Sequence, residues 1–557
     1  MNLDPIQISP DNFFEVIIIG GGTCGLAMSA RLMESHPGSL FTEDEHQRFH
    51  WLKQRGHKTN LLNSRQHSPY IQNKFNSENL LVLDSMNDRF MGQWDSQFDA
   101  CQIPYLRSPM FFHVDPANID GMVTYAYSKG RGGELMEITN VVGKEKQQKS
   151  MMMMMKKGNG GGSTHDNPGI VDVNMRDWKD YYRPATKLFR DHCNDVIMRY
   201  RLEDRVRKDE VVSVEYMLIQ SGDDIGKGMV VKTASGEMYG CKIAIVASGH
   251  RGDINYPIKP FDDDPHFPEG SCHTTHLFTK KAIFLDDSKF HNPKSKRIVI
   301  VGGGLTSAQL AYVAAQNPTV SSIHLLFRSP IKIKHFDFHL DWVTKYKNVK
   351  KSAFFIRDTD EEKFEMINAA REGGSINPEY YKKVLKLSKS KRINWMTSTQ
   401  ITKQEWNEET KTWNLEVTDG EGETSNLIDI DYIYFATGVA ANIKSLEFLQ
   451  PVISNHPIDI VGGYPCLTDN LQWNEEVPLF MMGKNAALRV GPTSANLDGA
   501  RLGAERVGWY LQDLKSKGEF DWGPVKSVEN TETSSYLDTR LQLASGQLNW
   551  FTLLDNS

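Results

Sequence analysis

Two glycine-rich turns, each preceded by a run of β-branched residues, limit how this 557-residue chain can fold. The first is Val16-Ile17-Ile18-Ile19-Gly20-Gly21-Gly22-Thr23-Cys24-Gly25. The second is Ile298-Val299-Ile300-Val301-Gly302-Gly303-Gly304-Leu305-Thr306-Ser307. A short apolar run that ends in glycine reads as a buried strand, and a helical pattern follows each turn. Strand, tight turn and helix together open a dinucleotide-binding unit. In the first turn Gly20, Gly22 and Gly25 occupy the glycine positions of G-x-G-x-x-G. The first glycine permits the turn, the second lets backbone approach a pyrophosphate, and the third allows close helix–strand packing. The helix N-terminus then offers unpaired N–H groups and a positive dipole end to the phosphates. In the second turn, after Gly302 and Gly304, Ser307 replaces the third glycine and is still small enough for that packing.

The residue that ends the next strand selects the nucleotide. After the first turn that strand is Leu80–Asp84, delayed by a polar stretch at 34–79 that reads as a loop insertion. Asp84 stands where an acid accepts a hydrogen bond from ribose. After the second turn the strand Ile323–Arg328 ends in a cation, which suits the 2′-phosphate of NADPH. Lys332 and Lys334 add positive charge nearby. The expected hydride donor is NADPH, with NADH as the alternative. Two dinucleotides on one chain point to electrons passing from a nicotinamide to a flavin.

The bulk composition excludes several other classes. A net charge of -6 gives no electrostatic case for nucleic acid or an anionic membrane. The six cysteines include no C-x-x-C pair, which argues against a redox dithiol and against a structural zinc site. No metal site is expected. Met1–Phe14 contains no Arg or Lys, so no signal or transit peptide is expected, and Asp555-Asn556-Ser557 is not a peroxisomal address. No apolar run approaches the roughly 18 residues of a membrane span. The expectation is a cytoplasmic protein with a small-molecule substrate, no nucleic-acid or membrane partner, and a homo-oligomer left open.

Further strand signals, at Val211–Tyr216, Met229–Thr233, Ile243–Ala247, Trp413–Thr418 and Tyr432–Ala436, lie before and after the second unit. The simplest arrangement nests one nucleotide domain inside another. The expected fold is α/β, with two Rossmann-like three-layer ββα domains, the NAD(P)-binding one inserted into the FAD-binding one. The boundaries read as 11–265 and 430–515 for the FAD domain, 266–429 for the inserted domain and 516–557 for a tail. Residues 143–169, with Met151–Met155 and a Gly/Ser run, read as a disordered low-complexity loop.

These features resemble the two-dinucleotide-binding flavoprotein superfamily, which places FAD first and NAD(P)H in the inserted domain. Ala247-Ser248-Gly249 and Ala436-Thr437-Gly438 look like its linker motifs. Asp431-Tyr432-Ile433-Tyr434-Phe435-Ala436-Thr437-Gly438 is similar to the D-x-x-x-(L/F)-A-T-G-Y signature of the flavin-dependent ornithine and lysine N-monooxygenases. Leu106–Pro116, the Gly491-Pro492 turn and the Gly499-Ala500-Arg501 helix resemble further segments of that family. Val439 and Lys444 depart from its pattern. The resemblance implies FAD, NADPH and O₂ as co-substrate, with a hydroperoxyflavin hydroxylating a small amine or amino acid. It adds Trp94, Gly249, Thr437, Gly438, Gly483, Gly491 and Pro492 to the cofactor-binding set of Gly20, Gly22, Gly25, Asp84, Gly302, Gly304, Ser307 and Arg328.

No nucleophile–base or metal constellation stands out, as befits chemistry carried by a cofactor. Arg107 and His113 are the candidates for a direct role. His250 and His276 read as loop or packing residues, and Cys24 as a packing residue. Two alternatives stay open: a flavin reductase or oxidase with another acceptor, and a non-catalytic nucleotide-binding regulatory protein.

Overall fold

The computed structural model describes residues 4–34, 37–38, 75–139, 141, 181–249, 251–257, 270–344, 347–518 and 522–524. Most of the 34–79 insertion, the low-complexity loop and nearly all of the 516–557 tail lie outside the described residues.

The Phe13–Ile19 strand is buried along its whole length, apolar but for Glu15, whose carboxylate pairs with Lys515 at 2.7 Å. It pairs in parallel with Leu80–Asp84 on one side and with Met238–Val246 on the other. Val206–Lys208 and Leu479–Met481 extend the parallel sheet at its two ends. Val211–Ser221 and Asp224–Thr233 form an antiparallel hairpin that runs into Met238–Val246. Helices Thr23–Met33 and Leu497–Ser516 cover the sheet and are joined by a buried Arg31–Glu505 ion pair at 2.5 Å.

The second sheet repeats the plan. Lys296–Val301 lies between Val320–Phe327 and Tyr432–Phe435, all parallel, with Ser271–His273 and Asn394–Thr397 outside them. A three-stranded antiparallel unit, Gln400–Asn407, Thr412–Thr418 and Thr424–Ile430, leads into Tyr432–Phe435. This corrects the expected return to the first domain at residue 430. Tyr432–Phe435 stands to the second sheet as Met238–Val246 stands to the first, and the chain rejoins the first sheet at Leu479–Met481. A two-residue antiparallel ladder, Asp253–Ile254 with Val439–Ala440, ties the two crossings together. The helix Gly92–Cys101 also spans the junction, because Cys101 is buried in the apolar core of the second sheet.

His113 lies in the first domain's interior and has no exposed surface. Its Nε2 lies 2.8 Å from the Ile119 carbonyl, and its Nδ1 accepts from the Asp115 backbone N–H. His192, equally buried, packs edge-on against it at 5.7 Å, and among the described residues neither of its ring nitrogens has a hydrogen-bond partner. Burial, with Arg501 and His192 adding to it, holds His113 down at about 3, and burial holds His192 down at about 4. Both rings are neutral in the folded chain, whereas in the unfolded chain each takes up a proton near its ordinary value of 6.5. The stability this contributes is full above pH 6.5 and is lost as the pH falls towards 4 and then 3. Each histidine contributes up to about 1.4 kcal/mol per pH unit in that window. Urea-denaturation midpoints should therefore fall steadily from pH 7 to pH 5, and His192→Asn should flatten the fall. Equal slopes in the two proteins would contradict this.

Candidate active site

Both glycine turns open into one cavity of about 2320 Å³, lined from both sheets. In the first turn Gly20 has φ +115°, and a Cβ there would sit 2.5 Å from the Ala247 carbonyl oxygen. A Cβ on Gly25 would sit 2.0 Å from the Gly20 carbonyl oxygen, so the third glycine lets helix Thr23–Met33 close onto the turn. Gly22 differs: a Cβ there would meet nothing within 4 Å, because this position faces the cavity. Gly22 is also the helix N-cap, with no side-chain hydrogen bond to the first N–H groups.

The second turn has the same build. Gly302 has φ +147°, and its Cβ would lie 2.2 Å from the Ala436 carbonyl oxygen. Gly304 caps helix Leu305–Gln316 without a side-chain bond, and the buried Ser307 donates to the Gly304 carbonyl at 2.7 Å. A third helix, Leu497–Ser516, also starts at the cavity, and its N-cap Asn496 is turned away to donate to Asp337 at 2.8 Å. Three helix N-termini with no side-chain cap thus face one space, a setting suited to anions.

The residues read from the sequence divide among several positions. Asp84 lines the cavity, but its carboxylate accepts from the backbone N–H groups of Gly21, Met86 and Asn87, each at 2.9 Å. It builds the turn and retains one acceptor position of its four. Trp94 lines the cavity and stacks on Phe98 at 4.4 Å, with its buried Nε1 unpartnered. Gly249, Thr437 and Gly438 line the cavity at the ends of the two crossing strands. Arg328 is exposed at its rim and has no hydrogen bond or ion pair among the described residues. Lys332 donates to the Glu372 carbonyl, and Lys334 pairs with the Glu372 carboxylate at 2.6 Å, so the latter's charge is compensated. Gly483, Gly491 and Pro492 do not line the cavity. Gly483 packs on Cys24, and the Pro492 carbonyl accepts from Arg371, so they support the neighbouring wall.

The two candidates for a direct role lie in different settings. His113 is interior and away from the cavity. Arg107 reaches the cavity, but its guanidinium donates to the carbonyls of Lys334 and His335 and to Ser375 Oγ at 2.8–3.0 Å. It fastens one domain to the other. His276 lines the cavity, His250 lies outside the described residues, and Cys24 lines the cavity as a thiol that burial pushes up to about 12.

The sequence reading missed the polar corner beside Arg107. Arg371 donates to Asp337 at 2.8 Å, and Lys484 donates to the Val439 carbonyl at 2.6 Å. Burial opposes ionisation of Asp337, but Arg371, Arg107 and the Asn496 amide outweigh it and hold its carboxyl below the ordinary value. Burial and then Arg371 hold the Lys484 ammonium down at about 8. Lys484 directly follows Gly483, the one nearby signal in the sequence; Asp337 and Arg371 carry none.

Residues 183–456 match the sequence profile of the family described as pyridine nucleotide-disulphide oxidoreductase. No curated protein matches significantly by sequence. Among solved structures, the chain is similar to L-lysine 6-monooxygenase from Pseudomonas syringae, at 13% identity and a TM-score of 0.54. It is also similar to ornithine hydroxylase from Pseudomonas aeruginosa, at 15% identity and 0.55. Each alignment covers 90% of this chain and 99% of the other. An ornithine N-hydroxylase from Kutzneria sp. 744, solved with reduced FAD, NADP⁺ and L-ornithine, aligns at 12% identity over 90% of this chain and 100% of its own, with a TM-score of 0.55. The chain shares the fold of these three enzymes.

The glycine geometry separates two substitutions in the same turn. Gly25→Ala should destabilise the fold by about 1–3 kcal/mol or more, because its Cβ meets fixed backbone. Gly22→Ala should leave the thermal midpoint nearly unchanged. Equal loss in the two proteins would contradict the geometry.

Proposed function

We propose that this chain is an FAD- and NADPH-dependent monooxygenase that hydroxylates the nitrogen of a small amine or amino acid. The observation that carries the reading is the opening of two uncapped glycine turns into a single cavity, where two dinucleotides would meet. The first turn suits FAD, since Gly22 leaves its backbone open to a pyrophosphate and Asp84 keeps an acceptor position for ribose. The second suits NADPH, since Arg328, which has no ion pair among the described residues, follows the strand end where a 2′-phosphate would lie. Bound FAD, once reduced by NADPH, supplies the activation of O₂.

The chain's own residues bind, orient and exclude water. Phe112, Phe336, Leu446 and Phe448 give the cavity apolar walls, which keep water from competing with a bound nucleophile. The lysine- and ornithine-hydroxylating neighbours share the fold, which favours an amine as the nucleophile. The profile's description favours a disulphide reductase as a second reading. Against it, Cys24 is the one cysteine lining the cavity among the described residues, and burial keeps it a thiol.

The purified protein should be yellow, release FAD on denaturation, and couple NADPH oxidation to a hydroxylamine product. The probes are L-lysine, L-ornithine and cadaverine. A colourless protein, or NADPH oxidation that yields only hydrogen peroxide with all three, would sink the proposal. Arg328→Ala should raise the KM for NADPH about 10- to 100-fold, the worth of a charge-assisted hydrogen bond, and leave that for NADH unchanged. An equal rise for both donors would remove Arg328 from the 2′-phosphate site.

A further inference from the structure

The polar corner of the cavity carries more positive than negative charge. Arg107, Arg371 and Lys484 all reach it, and Asp337 is the carboxylate set among them. Arg371 is the hub: it bonds Asp337 at 2.8 Å and repels both Arg107 and Lys484. Arg107 and Lys484 donate to backbone carbonyls and to Ser375, and among the described residues no carboxylate forms an ion pair with either. The other groups around this corner do not offset them. Glu372 is engaged by Lys334 and His339, Tyr464 is neutral, and Glu447 is exposed at the rim.

We propose that this electropositive corner admits an amine as its free base and so does the work of a general base for the oxygen-transfer reaction. The inference rests on the N-hydroxylation reading above. A nitrogen that attacks an electrophilic oxygen needs its lone pair, and an ordinary alkyl ammonium near neutral pH has none to give. A further positive charge placed beside Arg371 and Lys484 is disfavoured, so the ammonium releases its proton to solvent and the neutral amine enters. The one bond broken is an ammonium N–H: its electron pair stays on nitrogen as the lone pair, and the proton passes to water. Lys484 is itself an amine in the same corner, and burial first and Arg371 second lower its ionisation, the two influences an entering ammonium would meet there. Arg371 and Lys484 are here positioning residues that set a protonation state.

The test is calorimetric titration of the flavin-loaded, oxidised enzyme with L-lysine, L-ornithine or cadaverine. Buffers of different ionisation enthalpy then count the protons released. In the wild type, affinity should rise about tenfold per pH unit between pH 7 and 9, with close to one proton released on binding. Lys484→Met removes one repelling charge, so the rise should begin about one pH unit higher while release persists at pH 9. Lys484→Arg keeps the charge and should restore the wild-type profile. The pH profile of kcat/KM for product formation should shift in the same direction. Binding or hydroxylation with flat affinity and no proton release overturns this inference alone. Loss of release at every pH in Lys484→Met also overturns it, since the proton then came from Lys484. If none of the three amines binds or yields product, the proposed function falls and this inference with it.

Discussion

The architecture depends on one kind of contact, made twice: a glycine Cα pressed against a backbone carbonyl. Gly20 meets Ala247 and Gly302 meets Ala436, at separations where a Cβ would overlap the oxygen. Each contact joins the end of a sheet's central strand to the end of its parallel neighbour, Met238–Val246 in one case and Tyr432–Phe435 in the other. The strand ends must come together for the following helix to begin at the cavity wall. Positive φ at Gly20 and Gly302 makes that turn without strain. Everything placed at the cavity, from Asp84 to Arg328, hangs on these two crossings.

A space faced by three uncapped helix N-termini is a positive one before any side chain is counted. The side chains sharpen that polarity at one end. Asn496 bonds Asp337 rather than capping its own helix, and Asp337 in turn orients Arg371. Arg107 draws the domains together through carbonyls rather than carboxylates, and it shares the single Asp337 carboxylate with Arg371. Each buried donor here has a partner, yet the corner remains cationic, which is what makes it suited to neutral or anionic groups.

The glycine turns, the strands and the nested order of the units were legible because each rests on local chemistry. A β-branched run ending in glycine needs no distant partner to be recognised. The boundary near 430 was misplaced because Ala247-Ser248-Gly249 and Ala436-Thr437-Gly438 look alike, and likeness in sequence does not say which sheet a strand joins. Hydrogen-bond pairing puts each in its own domain. His113 stood out because it lies in the Leu106–Pro116 segment that resembles the N-monooxygenases, but the Gly121–Ser128 and Thr186–Arg199 helices enclose it with His192 and Tyr125. Asp84 was placed correctly at its strand end, while its three backbone bonds depend on how the Gly21 and Met86 turns pack around it.

By itself the sequence determined two strand–glycine–helix units, their order, and a cation at the end of the second unit's next strand. Those properties follow from residue size, branching and backbone freedom over a few neighbours. Only the tertiary structure decided which strand completes which sheet, that both turns share one cavity, and that Arg107, Asp337, Arg371 and Lys484 meet in one corner of it. These four residues come from four separate stretches of chain with no common motif. Electrostatic character of this kind is a property of distances in space, and the chain acquires it only when the two domains close on each other.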